Sequence, residues 1–257
     1  MKKVEITKNV QDAYNDQYTD RMTKWRELGA SYKSRNIISV VKGRTFSKVL
    51  DFGAGEGSIL SQLDGHEAFR HLYAVEISDS GIAQIKKRGI KSLVEVKKFD
   101  GYTTPYADNE FDLLYCSHVI EHVEHPRLVL REIKRISKAQ VFEVPLDYGK
   151  TLGRKTAHFL AYGHINIFTP STFKFLLNSE GYEVIEELHA NTPKEILEFN
   201  WYQNMNLKKS LKRRVLASVL SNKAKLAKLL LGKARANELY NSSYTCFTEK
   251  SGELVIF

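Results

Sequence analysis

Between Lys48 and Leu146 the sequence alternates short apolar runs with helical segments, and this alternation limits the chain to few architectures. The apolar runs are KVLDFG, HLYAVEI, LVEVKKF, FDLLYCS and QVFEVPL. Helical segments such as DSGIAQIKKRG and PRLVLREIKRIS lie between them. Strands that alternate with helices predict crossover connections, and hence a parallel sheet with helices on both faces. The predicted fold class is therefore α/β.

The segment before the first strand, residues 1–46, is polar and aromatic. Its aromatic residues recur at intervals of one or two helical turns, namely Tyr14, Tyr18, Trp25 and Tyr32. This spacing predicts two helices that break near Gly29. We expect them to cover the sheet.

Two later helix starts carry explicit signals. Thr169-Pro170 and Thr192-Pro193 each place a capping hydroxyl before a proline, and Glu195 predicts a capping box at the second. YEVIEELHA is read as a strand, and YTCFTEKSGELVIF as one or two more. We predict one domain, 1–257, with four parts: a helical cover at 1–46, the core sheet at 47–191, a basic helical insertion at 192–241 and a final strand region at 242–257.

Composition is that of a folded protein: 257 residues, 42% hydrophobic and 27% charged. Cys116 and Cys246 are too few for a disulfide framework, which favours a reducing compartment. The N-terminus lacks the apolar core of a secretion signal, and no apolar run approaches the roughly 18 residues that span a bilayer. The expected location is the cytoplasm.

The segment VLDFGAGEGSIL, residues 49–60, is the most specific motif. A strand ends at Asp51, and three glycines lead into a helix whose first N–H groups can face a carboxylate or phosphate. The glycines, Gly53, Gly55 and Gly57, do not follow the G-x-G-x-x-G spacing of dinucleotide sites, because Ser58 occupies the last position. This spacing favours a different nucleoside.

With the segments that follow, the sequence resembles the class I S-adenosylmethionine-dependent methyltransferases. LYAVEIS ends a strand at Glu76, Phe99-Asp100-Gly101 follows the third strand, and NEFDLLYCSHVIEHVEHP and GHINIFTPSTF also resemble family segments. The resemblance implies a Rossmann-like, mostly parallel seven-stranded sheet and S-adenosylmethionine as cofactor, leaving as S-adenosylhomocysteine. It implies these cofactor-binding residues: Asp51, Gly53, Ala54, Gly55, Gly57, Glu76, Ile77, Asp100, Gly101, Ser117 and His118.

The family chemistry is in-line transfer of a methyl group, sometimes with a base that removes a proton from the acceptor. Candidate bases cluster where strands end, at His118, Glu121, His122, His125, His164 and Asn166. Imidazole has a pKa suited to this task near neutral pH. We favour His122 and His164 as catalytic residues, with a structural histidine as the alternative for His122.

A divalent metal is a further alternative for this cluster. If the segment is helical, His118, Glu121 and His122 fall at i, i+3 and i+4 and could share a metal ion. Some O-methyltransferases bind a metal at a Glu-x-x-Glu-His segment, but His118 stands here in place of the first Glu. We therefore predict no metal in the site.

Absent motifs narrow the acceptor. The chain lacks the Asp/Asn-Pro-Pro-Tyr/Phe segment of amino-methylating nucleic-acid enzymes, the Pro-Cys nucleophile of cytosine C5 enzymes and the paired glutamates of arginine methyltransferases. The favoured function is O-methylation of a sugar, a glycan or another small-molecule or lipid-linked acceptor. The alternatives are an RNA methyltransferase and a non-catalytic cofactor-binding or membrane-docking protein.

The positive charge of the chain, +9, lies in one segment. Residues 207–236 hold ten cations and no acidic residue, and the remainder holds 29 basic and 30 acidic residues. Leu207, Leu211, Val215 and Val219 recur every four residues, as on one helix face. Such a segment binds an anionic membrane or nucleic acid, or packs on the domain with a solvated cationic face. Because it lacks aromatic residues for base stacking, we favour an anionic membrane, at its inner face, over RNA.

Overall fold

The computed structural model describes residues 23–148, 159 and 163–252. The strands are β1 (Phe46–Phe52), β2 (Phe69–Glu76), β3 (Leu93–Lys98), β4 (Phe111–Ser117), β5 (Ser137–Pro145), β6 (Tyr182–Ala190) and β7 (Ser243–Lys250). The helices are α1 (Thr23–Val40), α2 (Ser58–Leu63), α3 (Asp79–Lys87), α4 (Pro126–Ile136), α5 (Pro170–Ser179), α6 (Lys194–Phe199), α7 (Leu211–Ser221), α8 (Lys223–Leu231) and α9 (Lys233–Tyr240). A 3₁₀ turn at Ile120–His122 follows β4, and a π-helical turn at Asn200–Asn204 follows α6.

The seven strands form one sheet in the order β3-β2-β1-β4-β5-β7-β6. Strands β1 to β5 pair in parallel, and β7 pairs antiparallel with both β5 and β6. The strand order reverses between β1 and β4, so the chain crosses from one half of the sheet to the other there. This arrangement confirms the predicted α/β, Rossmann-like sheet.

The sheet is covered on both faces because neighbouring residues of each strand point to opposite sides. On one face Val49 packs with α1 and α2 residues, including Ile37 and Leu60. On the other face Leu50 packs with α4 and α5 residues, including Val129 and Phe173. Two buried clusters thus fix the central strands between two helical layers.

The N-terminal cover differs from its prediction. Helix α1 runs without interruption through Gly29, so the predicted break there is wrong. A glycine inside a helix costs only about 1 kcal/mol, and contacts of α1 with the sheet outweigh it. Asn36 Nδ2 donates to Glu143 at 2.7 Å, for example. The other predicted helix, with Tyr14 and Tyr18, lies outside the described residues.

The two threonine-proline segments behave differently. Thr169 caps α5 as predicted, and its hydroxyl accepts a hydrogen bond from Thr172 N. Helix α6 starts one residue later than predicted, with Pro193 at the N-cap and no side-chain cap. Since Thr192 precedes the cap and Glu195 does not reach the third helical position, the predicted capping box is wrong.

The basic insertion consists of α6 to α9 and separates β6 from β7, which pair as a hairpin across it. Leu207 lies before α7, so the predicted apolar stripe begins at Leu211. None of the helices in the described ranges is long and apolar enough to cross a bilayer. Residues 253–257 of the predicted last strand lie outside the described residues.

Candidate functional site

The predicted site residues meet at one edge of the sheet, where the parallel strands β1, β2, β4 and β5 end. Ligands of open α/β sheets bind at this edge, beside the point where the strand order reverses. Helix α1 approaches the same edge through Asn36. The turn after β1 and the turn after β4 are the two main parts of the site.

The turn after β1 requires its glycines for reasons of backbone geometry. Gly53, Gly55 and Gly57 have φ values of 78°, 57° and 79°, in the left-handed region that disfavours other residues. A Cβ on Gly53 would lie 2.6 Å from Val119 Cγ2. Gly53 N also donates to Val75 O at 3.0 Å. The turn is therefore pinned between β2 and β4 in one conformation.

Glu76, at the end of β2, is buried beside this turn. Its Oε2 accepts from Gly55 N at 2.8 Å, and its Oε1 accepts from Ser78 N at 3.0 Å and from Ser78 Oγ at 2.8 Å. Burial raises the pKa of the carboxyl despite these hydrogen bonds. The carboxyl is thus held in a fixed orientation, with one oxygen engaged by Gly55 and the other by Ser78.

Asp51 lies deeper than the other predicted cofactor ligands. Its Oδ2 accepts from Tyr115 Oη at 2.8 Å inside the sheet. Burial, together with the charge of Glu76, raises the pKa of Asp51 to about 8. The Asp51 side chain therefore lies beneath the turn after β1 and keeps its proton at neutral pH.

The residues after β2 and β3 complete the cofactor half of the site. Ala54 N donates to Val75 O at 3.0 Å, and Ile77 packs against the core of the α4 side. Asp100 Oδ1 accepts from Tyr102 N and Thr103 N at 2.9 and 2.7 Å, with Gly101 at φ 91°. Asp100 therefore caps its own turn in addition to any role toward a ligand.

The chain turns sharply after β4. Ser117 Oγ donates to Glu143 Oε2 at 2.7 Å, and His118 N donates to Glu143 O at 2.9 Å. His118 has φ 57°, a strained value for a residue other than glycine. This backbone conformation turns the chain out of β4 and into the 3₁₀ turn that carries Glu121 and His122.

Glu121 lies at the centre of a histidine cluster and is fully buried. Its Oε1 is 3.2 Å from His118 Nδ1 and 3.8 Å from His122 Nε2. Neither carboxylate oxygen has a hydrogen-bond partner of good geometry among the described residues. The rings of His122 and His164 pack edge to face with their centroids 4.9 Å apart. His125, at the start of α4, is exposed and lies outside this cluster.

Backbone hydrogen bonds bring His164 to this cluster from a distant part of the chain. Ile165 N and Asn166 N both donate to Glu121 O, at 2.9 and 3.0 Å. Asn166 Nδ2 donates to Val123 O at 2.7 Å. The Asn166 side chain therefore binds the end of the 3₁₀ turn and has a structural role. The segment GHIN is thus docked on the turn after β4.

The two histidines have defined tautomers because each Nδ1 faces an acceptor. His122 Nδ1 donates to Gly163 O at 3.0 Å, and His164 Nδ1 donates to Asp147 Oδ2 at 2.6 Å. In a neutral imidazole the other nitrogen, Nε2, then carries the lone pair. Both rings can accept a proton at Nε2.

The surroundings shift the pKa values of the cluster in different directions. Burial would raise the pKa of Glu121, but the adjacent His118 and His122 lower it to about 2. Burial lowers the pKa of His122. For His164 burial acts in the same direction, but the Asp147 hydrogen bond and the charge of Glu121 outweigh it, so its pKa is raised. The cluster therefore combines a carboxyl of lowered pKa, Glu121, with two imidazoles, His122 and His164, whose pKa values move in opposite directions.

Three side chains of the cluster could hold a metal ion. One ligand atom each from Glu121, His122 and His164 lies within 4.8 Å of the others. This set differs from the His118, Glu121 and His122 combination considered from sequence, because the segment forms a 3₁₀ turn rather than an α-helix. Two imidazoles and a carboxylate suit several divalent transition metals. The absence of a metal remains a prediction.

Several residues near the site were not predicted from sequence. Asn36 of α1 and Glu143 of β5 form a buried hydrogen bond, and Lys33 lies in electrostatic range of Glu143, Glu121 and Asp51. Burial lowers the pKa of Lys33. Glu143 could have been found, because it is a charged residue inside the apolar run QVFEVPL. The partners on α1 could not, since no local pattern places that helix over the sheet edge.

Asp147 and Glu56 were also not predicted. Asp147 directly follows the run QVFEVPL, at the sheet edge where ligands bind, and this position was an available signal. Glu56 lies inside the glycine motif and accepts from Arg26 Nε at 2.6 Å and from Arg88 Nη2 at 2.9 Å. These ion pairs fasten α1 and α3 to the turn after β1.

Comparisons with solved structures agree with this fold. A chain of the complex between the Haloferax volcanii Trm112 methyltransferase activator and a methyltransferase gives a TM-score of 0.62 at 13% identity, over 94% of this chain and 97% of that chain. A SAM-dependent methyltransferase from Archaeoglobus fulgidus gives 0.56 at 20% identity, over 89% of this chain and 97% of that chain. The fold is that of the Rossmann-like methyltransferases.

Sequence comparisons also find methyltransferases. Residues 50–141 match a family described as a methyltransferase domain. The trans-aconitate 2-methyltransferase of Deinococcus radiodurans is 25% identical over 170 residues, 59% of this chain and 64% of that protein. The demethylmenaquinone methyltransferase of Corynebacterium efficiens is 32% identical over 91 residues, 35% of this chain and 37% of that protein. The chain thus spans less than two thirds of the length of these relatives.

The family match over residues 50–141, the sheet topology and the glycine motif all agree with the predicted resemblance to the class I S-adenosylmethionine-dependent methyltransferases. The cofactor of that class is S-adenosylmethionine. The residues present fit this cofactor, because a buried carboxylate at Glu76 adjoins a turn of three left-handed glycines at the sheet edge.

Proposed function

We propose that the protein transfers a methyl group in line from S-adenosylmethionine to a hydroxyl oxygen of a small-molecule, sugar, glycan or lipid-linked acceptor. The observation that carries this proposal is the pair His122 and His164, whose Nδ1 atoms are engaged by Gly163 and Asp147 beside the cofactor turn. An oriented imidazole is the group that an alcohol acceptor needs, since its proton must leave as the oxygen is alkylated.

The cofactor supplies an electrophilic methyl group on a sulfonium, and the side chains of the protein supply position and a base. Glu76 and the turn after β1 hold the nucleoside. With the cofactor bound, methylation of the acceptor oxygen would break the carbon–sulfur bond and return the electron pair to sulfur, leaving S-adenosylhomocysteine. A histidine Nε2 takes the hydroxyl proton. Helix α1 is fixed against this edge by the hydrogen bonds of Asn36 and Arg26.

Cofactor binding is the first test. Titration calorimetry should show saturable binding of S-adenosylmethionine, and Glu76→Ala should weaken it about a hundredfold, because hydrogen bonds to a charged group are worth about 1.5–3 kcal/mol each. Glu186→Ala, an exposed glutamate of β6, is the matched control and should leave the affinity unchanged. Absence of saturable binding by the wild-type protein, or equal affinities for both variants, contradicts the cofactor assignment.

A pH profile tests the base, for which His164 with its Asp147 partner is the stronger candidate. The base must be neutral, so the rate rises with pH through its pKa, and for His164 this limb should lie above pH 6.5. Asp147→Asn should move the limb to lower pH. His164→Ala should lower kcat about 10² to 10⁴-fold with cofactor affinity unchanged. A limb below pH 6.5 that Asp147→Asn does not move would assign the role to His122, whose pKa is lowered.

The metal-free character of the proposed reaction is tested with a chelator. Enzyme treated with EDTA should keep its rate within about twofold, because an imidazole base needs no metal to accept a proton. Stimulation by Mn²⁺ or Mg²⁺ that Glu121→Gln abolishes would instead make Glu121, His122 and His164 metal ligands.

Carbon methylation is the second candidate reaction. A relative of this chain, 28% identical over 123 residues, is the ubiquinone/menaquinone biosynthesis C-methyltransferase of Shewanella oneidensis. Products formed in a cell extract with a ¹³C-labelled methyl donor separate the two reactions, since O-methyl and C-methyl carbons have different chemical shifts. An O-methyl product supports the proposal, and a C-methyl product overturns its oxygen acceptor.

A further inference from the structure

Helices α7, α8 and α9 of the basic insertion are packed with their small residues inward and their large apolar residues outward. The buried residues of α7, α8 and α9 are alanines, namely Ala217, Ala224, Ala227 and Ala236. In contrast, Leu211, Leu229 and Leu230 are 75%, 84% and 82% exposed. Val215, Leu216, Val219, Leu226 and Leu231 are exposed as well. A helix that only packs on its own domain buries its leucines, so these faces are arranged for another apolar phase.

The same surface is strongly cationic. Of the ten cations in 207–236, eight are exposed, namely Lys208, Lys209, Lys212, Arg214, Lys225, Lys228, Lys233 and Arg235. No acidic residue lies in this segment. Apolar side chains among exposed cations are the combination that binds an anionic lipid interface, where leucines enter the acyl boundary and lysines contact headgroups.

We propose that α7 and α8 form a docking surface for an anionic lipid bilayer, which holds the protein at the membrane as a peripheral protein. Charge complementarity selects this occupant. A second copy of the chain would bring two surfaces of the same sign together, and RNA would leave the leucines without an apolar partner. A bilayer with anionic headgroups satisfies both the leucines and the lysines.

The docking surface is connected to the cover of the cofactor site. Trp25 of α1 stacks on Phe199 of α6 with ring centroids 6.1 Å apart, so the insertion begins against the cover helix. Docking would therefore hold the methyl-transfer edge close to the membrane. The inference concerns binding alone and stands even if the proposed methyl transfer fails.

Vesicle flotation with the full chain tests the proposal. The protein should float with vesicles of phosphatidylcholine and phosphatidylglycerol and not with phosphatidylcholine alone. The double variant Leu229→Ser/Leu230→Ser should weaken the binding by about tenfold or more, since two apolar side chains lose their burial in the interface. Lys225→Gln/Lys228→Gln should weaken it by about thirtyfold, at about 1 kcal/mol per cation near the surface.

Matched controls lie at the opposite end of the sheet. Val94→Ser changes an exposed apolar residue of β3, and Lys86→Gln/Lys87→Gln removes two exposed cations of α3. Both variants should bind vesicles as the wild type does. The proposal is overturned if anionic vesicles are not bound, or if the leucine variant binds them unchanged. It is also overturned if the leucines mediate concentration-dependent self-association, measured by sedimentation, instead of vesicle binding.

Discussion

The cofactor edge of the sheet and the basic insertion use the same kinds of residue in opposite ways. At the edge, charged side chains are buried, and most are held in place by hydrogen bonds, as Glu76 is by Gly55 and Ser78. In α7 to α9 of the insertion, large apolar side chains are exposed, and the buried residues are alanines such as Ala217. Each region therefore departs from the usual rule of burial.

The difference shows which region is complete within one chain. A buried carboxylate is costly unless partners or a raised pKa compensate, and for Glu76 and Asp51 the protein itself supplies both. Exposed leucines have no such compensation. The unfavourable free energy of hydrating their side chains is removed only when they bind another apolar phase. The edge is therefore a preformed site for a small ligand, whereas the insertion is a surface that still lacks its binding partner.

Truncating one leucine in each region should give the largest contrast. Leu50→Ala, in the buried core of β1, should lower the free energy of unfolding by about 3 kcal/mol, because it leaves a cavity. Leu230→Ala, in α8, should change it by less than about 0.5 kcal/mol, since the side chain is already solvated. Urea unfolding monitored by circular dichroism gives both values. A loss of stability above about 2 kcal/mol for Leu230→Ala would mean that the insertion is an ordinary packed layer.

The pH dependence of stability should reveal the buried carboxyl at the edge. Asp51 keeps its proton in the folded protein up to about pH 8 but loses it near pH 3.8 in the unfolded chain. Its contribution to stability is therefore complete below pH 3.8 and declines as the pH rises toward 8. Between pH 6 and 8 the wild type should lose on the order of 2 kcal/mol relative to Asp51→Asn, measured by urea unfolding. An identical pH dependence of the two proteins would show that Asp51 is ionised in the fold.

Much of the fold and the cofactor half of the site could be predicted from sequence because both are local. Strand ends, glycine turns and the acidic residue Glu76 are each encoded in a short segment of sequence. Parallel strands then bring these ends to one edge of the sheet. The pairing of His122 with His164 was predicted only as two residues at the same edge. The hydrogen bonds of Asn166 that dock one segment on the other are tertiary.

The features that could not be predicted depend on contacts between distant parts of the chain. Helix α1 continues through Gly29 because the sheet beneath it offers partners such as Glu143. Outward-facing leucines could not be predicted either, since the period of Leu211, Val215 and Val219 fixes a common face but not its direction. Which face is buried is decided by the surface that the helix meets.

The smallest expected effect is the difference in stability between variants at the two threonine-proline helix starts. One lies before α5 of the core, and the other lies before α6, the first helix of the insertion. Thr169→Ala should lower the free energy of unfolding by about 1 kcal/mol, because it removes the cap of α5. Thr192→Ala should change it by less than about 0.5 kcal/mol, because the hydroxyl does not cap α6. Thermal and urea unfolding of both variants measure the difference. Equal losses would show that Thr192 caps α6 in solution and stabilises its first turn as much as Thr169 stabilises that of α5.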